Sequence, residues 1–190
     1  MDDIDEKIIS LKMEAGENVA MSLEDGYYLA GKIELFEKTE LFDQRVFVYL
    51  PKSFVDMPDQ VKELKYPSAF RPQIIKTNLD SSVNFAFNIF EHSTGSNEGV
   101  EIIANGFRTA LRQSNPAITF HQTVSKMIQE NYDMTLFDFT SFGLDQKIYN
   151  LMCILSIEGQ FIQGIFNCLE RDKEQWEKAA QEVFLSVEID

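Results

Sequence analysis

Two long apolar segments separated by a tight turn place the strongest constraint on how this chain folds. Lys147–Ile157 and Gln160–Leu169 are strand-like, and the Glu158–Gly159 pair between them suits a two-residue hairpin turn. In the first segment Leu155 and residues at two-residue spacing take one face, while Ile154 and its counterparts take the other. Strands with apolar side chains on both faces need covering layers on both sides. The hairpin therefore predicts part of a sheet that other elements cover.

Two amphipathic helices are predicted to pack on this sheet. The first has Ser96 or Asn97 as its N-cap, carries Glu98 in its first turn and ends near Gln113. The second begins at the capping residue Asp172. Apolar side chains recur at three- and four-residue steps in both helices: Val100, Ile103, Phe107 and Ala110–Leu111 in the first, and Trp176, Ala179–Ala180 and Val183–Phe184 in the second.

The remaining elements are strands and one short helix. We predict them at Arg45–Leu50, Pro58–Leu64 (the helix), Gln73–Thr77, Val83–Phe90, Ile118–Met127 and Met134–Phe142. One or two hairpin strands are expected near the Asp25–Gly26 turn. Tight turns between sequential strands favour antiparallel pairing. The predicted fold class is α+β: an antiparallel β-sheet sandwiched by helices, with an N-terminal β extension.

The length of 190 residues fits a single domain. Residues 1–43 form the less regular part of the pattern, and we interpret them as a strand or arm extension that packs on the same domain. Residues 44–190 then form the α+β domain itself.

The net charge limits the partners that the chain is expected to bind. Asp and Glu number 31 and Lys and Arg 17, which gives a formal net charge of −14. Such a surface repels nucleic acid and anionic lipid, and it attracts basic partners, although solubility alone also explains it. The N-terminal third contains two acidic groups that suit a basic protein partner: Asp2, Asp3, Asp5 and Glu6, then Glu34, Glu37, Glu40 and Asp43.

The two cysteines indicate a reducing compartment. Cys153 and Cys168 lie on the two arms of the hairpin, out of register by about 13 Å at about 3.3 Å per residue. A disulfide needs Cα atoms within about 7 Å, so we predict two free, buried thiols. Met1–Glu6 lacks the positive charge and apolar run of a signal peptide, and no apolar run approaches the length of about 18 residues typical of a membrane span. We therefore expect a cytoplasmic protein.

Three features between residues 46 and 189 together resemble a known family. They are the strand end Leu50–Pro51 before Phe54, the long helix between the Phe87 and Ile118 strands, and the closing pattern of Gln160–Phe161, Phe166, Trp176 and Phe184–Ile189. This arrangement resembles the PsbP-like superfamily, which includes the DcrB-type bacterial proteins of unknown function. The resemblance implies an α/β/α sandwich and mostly non-catalytic binding or accessory roles. It assigns no site residue.

Few residues fit a catalytic, metal-binding or phosphate-binding pattern. His92 and His121 are the two histidines, and the chain has no Gly-x-Ser-x-Gly elbow. Glu91–His92 with Glu98 is the one His–carboxylate cluster close in sequence, and it suits either a solvated loop rim or a small pocket. Ser93–Asn97 fits helix capping better than phosphate binding. We predict no catalytic, cofactor-binding or metal-binding residues, and no cofactor.

The sequence leaves three functions open. The first is a non-catalytic, cytosolic accessory or protein-interaction protein, with a protein partner and neither nucleic acid nor a membrane, since Arg108, Arg112 and Lys126 are scattered. Edge strands also allow a homodimer. The alternatives are an acidic immunity-type inhibitor of a basic toxin, and a small enzyme or ligand-binding protein with a pocket near Glu91 and His92. An apolar patch at a sheet edge favours the interaction protein.

Overall fold

The computed structural model describes residues 21–43, 45–66, 71–91, 99–143, 145–157 and 159–190. They belong to two compact units, Phe54–Lys173 and the combination of Met1–Ser53 with Glu174–Asp190. The division at residue 43 into an arm and an α+β domain stays a prediction.

The described elements are mostly strands, with three α-helices among them. In order they are β1 (Tyr27–Leu29), β2 (Lys32–Glu34), β3 (Phe36–Leu41), β4 (Val46–Pro51), β5 (Val55–Asp56), α1 (Asp59–Lys65), β6 (Ile74–Thr77), β7 (Asn84–Glu91), α2 (Val100–Ser114), β8 (Thr119–Ile128), β9 (Tyr132–Phe142), β10 (Lys147–Ile157), β11 (Gln160–Leu169), a 3₁₀ turn (Glu170–Asp172), α3 (Lys173–Leu185) and β12 (Glu188–Ile189).

The larger unit contains an antiparallel sheet with the strand order β5-β6-β7-β11-β10-β9-β8. The predicted hairpin β10–β11 is confirmed with its predicted boundaries, and Leu151 pairs with Phe166 near its middle. From Tyr149 to Leu155 every residue of β10 is buried, as expected for a strand that is apolar on both faces.

Helix α2 lies on one face of this sheet. Val100 and Ala104 are buried against β9 and β10, in a cluster that includes Phe137, Phe139 and Met152. Helix α1 covers a smaller cluster of Met57, Ile75 and Ala86. Burial of these side chains is the main favourable contribution to packing, at roughly 25 cal/mol per Å² of apolar surface.

The smaller unit contains two further sheets and most of α3. Its sheets have the strand orders β12-β4-β3 and β1-β2, both antiparallel. The predicted stripe of α3 is confirmed as buried: Trp176, Ala179, Ala180, Val183 and Phe184. Ser186, just after the helix, accepts the backbone N–H of Tyr49 through its hydroxyl at 3.1 Å, which ties the end of the helix to β4.

Several predicted boundaries are wrong. Helix α2 begins at Val100, with Gly99 as its N-cap and Glu101 in its first turn, because the apolar stripe of the helix starts at Val100. Ser96, Asn97 and Glu98, which were predicted to cap and start it, lie outside the described residues. Ala110 is exposed, and Ala104 takes the buried position. Pro51 is the last residue of β4 rather than the residue after it.

The fold class is α+β, as predicted, with mostly antiparallel strands and helices packed beside them. None of the helices in the described ranges has the length and apolar character that a membrane crossing requires.

Candidate interaction surface

The predicted pocket near Glu91 and His92 falls mostly outside the described residues. Glu91 ends β7, is exposed, and accepts a hydrogen bond from the side-chain amide of Gln160 on the paired strand. His92, Glu98 and Ser93–Asn97 are not among the described residues. The pocket therefore stays a prediction.

The predicted acidic surface loses one of its members. Glu34 is 5% exposed, accepts the backbone N–H of Ser53 at 3.2 Å and pairs with Lys32 at 3.3 Å. Its inclusion was wrong because the side chain of Glu34 points to the buried side of β2. Glu37, Glu40 and Asp43 are exposed, and Asp2, Asp3, Asp5 and Glu6 lie outside the described residues.

The two cysteines are free and buried, as predicted. Cys153 pairs with Gly164 and Cys168 with Tyr149, which keeps the sulfur atoms on separate cross-strand pairs. Burial raises the pKa of the Cys168 thiol to about 12 and raises that of Cys153 further. A neutral thiol is a poor nucleophile, so neither side chain is activated for covalent chemistry.

His121 lies in a β-bulge of β8. The pairing with β9 shifts between Phe120 and Thr123, so that two residues of β8 oppose one residue of β9. The hydroxyl of Thr140 donates to Glu170 Oε1 at 3.1 Å, and His121 Nε2 lies 2.9 Å from the same hydroxyl oxygen. Because that hydroxyl has one proton, Nε2 is the donor in the second bond. The arrangement joins β8 and β9 to the 3₁₀ turn.

Asp138 fixes the geometry of this bulge. Its carboxylate is buried and accepts the backbone N–H of Gln122 at 2.7 Å through Oδ1. Its Oδ2 lies 3.5 Å from Nζ of Lys173. A bulge leaves backbone groups outside the regular ladder, and the side chain of Asp138 satisfies one of them.

Strand β8 is an exposed edge. In the described part of the chain it pairs with β9 alone. Among its 10 residues only Phe120 is half-buried and only Ile128 is buried. A strand that is paired on one side presents a row of free backbone N–H and C=O groups to the solvent on the other side. No other strand of the described ranges occupies this row, so it can pair with an additional strand.

Two arginines of α2 lie over the first half of β8. Arg108 and Arg112 are one helical turn apart, and their guanidinium carbons lie 5.0 and 5.1 Å from the centre of the Phe120 ring. Arg108 also donates from Nη1 to Thr123 Oγ1 at 2.8 Å. Neither arginine forms an ion pair with a described carboxylate. We call Arg108 and Arg112 the arginine pair.

Two depressions lie along α2, and the second also borders β8. The first, of about 450 Å³, is lined by the arginine pair with Asn105, Thr109 and Gln113. The second, of about 510 Å³, lies between the start of α2 and the last residues of β8. We call it the apolar groove for its exposed Ile102 and Met127; Glu101, Lys126 and Asp133 also line it. Its rim includes Ile102 and Met127, which are 60% and 63% exposed. Large side chains exposed together in this way mark a contact surface.

Sequence reasoning missed this surface, although the sequence contained a signal for it. The chain has 31 acidic residues, yet none lies between Glu101 and Glu130, a stretch that contains Arg108, Arg112 and Lys126. The arginines looked scattered because their relation to β8 depends on α2 running beside that strand. An acid-free stretch in an acidic chain indicates a locally basic surface.

No protein-family model and no curated protein sequence matches the chain. Solved structures do match its fold. Cyanobacterial PsbP (CyanoP) from Synechocystis sp. PCC 6803 is similar at a TM-score of 0.63 and 8% identity, covering 82% of this chain and 92% of CyanoP. LpqN of Mycobacterium tuberculosis, described as involved in cell envelope biogenesis, is similar at a TM-score of 0.54 and 8% identity, covering 85% and 94%. The chain thus has a PsbP-like fold, which confirms the predicted resemblance.

Proposed function

We propose that this chain is a non-catalytic, cytoplasmic protein-interaction protein that binds an extended segment of a partner protein along β8. The main support for this proposal is the exposed edge strand Thr119–Ile128, which lies at the end of the seven-stranded sheet and pairs with β9 on one side. In β-strand addition a peptide extends such an edge, so that main-chain hydrogen bonds supply affinity and neighbouring pockets supply specificity.

The other described sheet edges are less suited to this role. Strands β5 and β12 have 2 residues each, too few to support a stable added strand. Strand β3 carries the exposed charges of Glu37, Lys38 and Glu40, a common way of blocking edge-to-edge pairing. The long edge of β8 contains one lysine and no acidic residue.

The bulge limits the usable part of β8. Pairing with β9 is regular from Thr123 to Ile128, and the bulge separates this stretch from the paired residues Thr119 and Phe120. A partner strand therefore has six consecutive positions in regular geometry, from Thr123 to Ile128. That length is typical of strands in globular proteins.

The histidine and thiol groups of the described residues are also consistent with this role. His121 is hydrogen-bonded to Thr140, and both thiols are buried with raised pKa values. These interactions support the sheet rather than prepare a nucleophile.

Proline substitution tests the edge directly. Backbone N–H groups alternate in direction along a strand, so either Val124 or Ser125 directs its N–H away from β9. Val124→Pro and Ser125→Pro are made separately. Proline at the position where the wild-type N–H faces solvent should leave the circular dichroism spectrum native. It should abolish partner binding, because proline removes the N–H donor and blocks the added strand. The other variant loses a bond to β9 and should unfold more easily.

Binding is measured by capture of peptides from a displayed random library, with Ser125→Ala as the matched control. Peptides that bind the wild type and Ser125→Ala but not the folded proline variant support the proposal. Peptides that bind all three proteins equally, or no captured peptide at all, would contradict it. Analytical ultracentrifugation of the wild type checks whether β8 instead pairs with a second copy of the chain.

A further inference from the structure

Resting on the proposed function, we propose that the segment added to β8 is acidic at one position, where an Asp or Glu side chain binds the arginine pair. Four residues away on the same face of that segment, an apolar side chain occupies the apolar groove. The partner is thus defined by a pattern: one carboxylate and one large apolar residue, four positions apart on the same face of an extended segment.

The arginine pair has the donors that a carboxylate requires. A guanidinium group offers five N–H donors in a planar fork that matches the two oxygens of a carboxylate. Stacking of both groups on Phe120 restricts their rotation before any ligand binds, and Arg108 is further held by its bond to Thr123. With one donor of Arg108 used in that bond and no described carboxylate paired with either group, most donors remain available.

Strand geometry sets the spacing of the pattern. Thr123 and Met127 point to the same face of β8 because they are four residues apart. Thr123 contacts Arg108, and Met127 lines the apolar groove. An added strand lies about 4.8 Å from β8 and rises about 3.3 Å per residue. Its side chains opposite Thr123 and Met127 are therefore about 13 Å apart, and each lies beside one of the two features.

A second copy of the chain does not supply this pattern. The sequence of β8 contains no Asp or Glu. An antiparallel pair of β8 strands centred on Ser125 places Thr123 opposite Met127, and no carboxylate of either strand then reaches the arginine pair. Nucleic acid and anionic lipid are disfavoured by the net charge of −14. A carboxylate on a protein segment is the ligand that fits both the charge and the edge.

The test begins with a displayed library of random peptides selected on the full wild-type protein. A recovered peptide is synthesised together with a form in which its Asp or Glu is replaced by Asn or Gln. Calorimetry then measures both peptides against wild type, Arg108→Gln, Arg112→Gln and the double variant. Arg171→Gln is the matched control, because Arg171 is exposed, outside the acid-free stretch, and loses the same charge.

We expect recovered peptides to be enriched in an acidic and an apolar residue four positions apart. Each arginine variant should weaken the acidic peptide by roughly fivefold to fiftyfold, as expected for loss of a charge-assisted hydrogen bond at a partly desolvated site, and Arg171→Gln should leave it unchanged. The neutral peptide should bind the wild type more weakly than the acidic peptide by the same factor. Its affinity should fall little further on the double variant, because the carboxylate and the arginine pair contribute through the same interaction.

Two results would overturn this inference and leave the proposed function intact: recovered peptides without an acidic residue, or acidic peptides that bind the double variant as well as the wild type. If peptide binding also survives in the folded proline variant, the proposed function fails with it. A dimer of the wild type that the proline variant abolishes would replace the acidic segment by a second copy.

Discussion

At the residue scale, the buried Cys168 thiol gives the molecule a defined response to alkaline pH. Burial, with a smaller contribution from the nearby charge of Asp172, raises its pKa from an ordinary value of 9.0 to about 12. The folded state therefore keeps the thiol neutral at a pH where the unfolded chain releases the proton. The stability associated with Cys168 is complete below about pH 9 and is lost as the pH rises towards 12.

Comparison with Cys168→Ala isolates this effect. Between pH 8 and pH 10 the difference in unfolding free energy between wild type and variant should shift by about 1.4 kcal/mol against the wild type, close to one pKa unit of linkage. Urea denaturation at both pH values measures it, and Cys153 is present in both proteins and cancels. A difference that stays constant would show that the Cys168 thiol titrates near its ordinary pKa.

Single side chains also determine which parts of the edge carry charge. Arg112 is exposed, yet its guanidinium is held over Phe120 rather than extended into water. Lys126, by contrast, lies at the other end of β8 and lines the apolar groove. Arginine combines stacking with a bidentate donor pattern that lysine lacks, so Arg→Lys changes at the pair are not conservative.

At the element scale, the bulge in β8 separates two paired residues, Thr119 and Phe120, from the regular stretch Thr123–Ile128. Asp138 holds that bulge through the N–H of Gln122 and the ammonium group of Lys173. Removing a buried carboxylate leaves its donors without their acceptor, which costs more than removing an exposed one.

Asp138→Ala should therefore lower the free energy of unfolding by about 2–3 kcal/mol. Asp133→Ala, which removes an exposed acid from the same strand, should change it by less than about 0.5 kcal/mol. Urea denaturation measures both values, and amide hydrogen exchange at Gln122 reports on the bulge itself. Equal effects of the two substitutions, or unchanged exchange at Gln122, would show that Asp138 does not hold the bulge.

The elements differ in how far the sequence predicts them, and the reason is the range of the interactions that form them. Local periodicity and one turn are enough for β10 and β11, which have their predicted boundaries. The start of α2 was predicted too early because Ser96 and Asn97 are residue types that often cap helices. The helix instead begins at Val100, the first buried residue of its apolar stripe. The bulge at His121 depends on Asp138 of the next strand, a contact that no local pattern encodes.

The same distinction applies to the candidate surface. Exposure of β8 follows from its position at the end of the sheet, which depends on strand order and not on the sequence of β8. The arginine pair is visible in the sequence only as two residues four apart. Its position over Phe120 requires α2 to lie along β8. An acid-free stretch within an acidic chain was the one sequence signal for this surface.

At the scale of the whole molecule, charge acts differently at long and short range. The net charge of −14 attracts partners with a basic overall surface, and this expectation stays a prediction. Close to β8, the arginine pair favours a carboxylate instead. A partner with a basic overall surface and one acidic residue in an extended segment satisfies both conditions. The overall charges of the two proteins set the rate of their encounter, whereas individual contacts fix the register of the bound segment.

A nuclear magnetic resonance titration of the isotope-labelled full chain with a library-selected peptide tests whether β8 accepts an added strand. We expect the amide shifts to concentrate in Thr123–Ile128 and near the arginine pair. We also expect β8 amides that exchange freely in the unbound protein to become protected as a new ladder of hydrogen bonds forms. Shifts that spare β8 and cluster at another edge, such as β3, would contradict strand addition at β8.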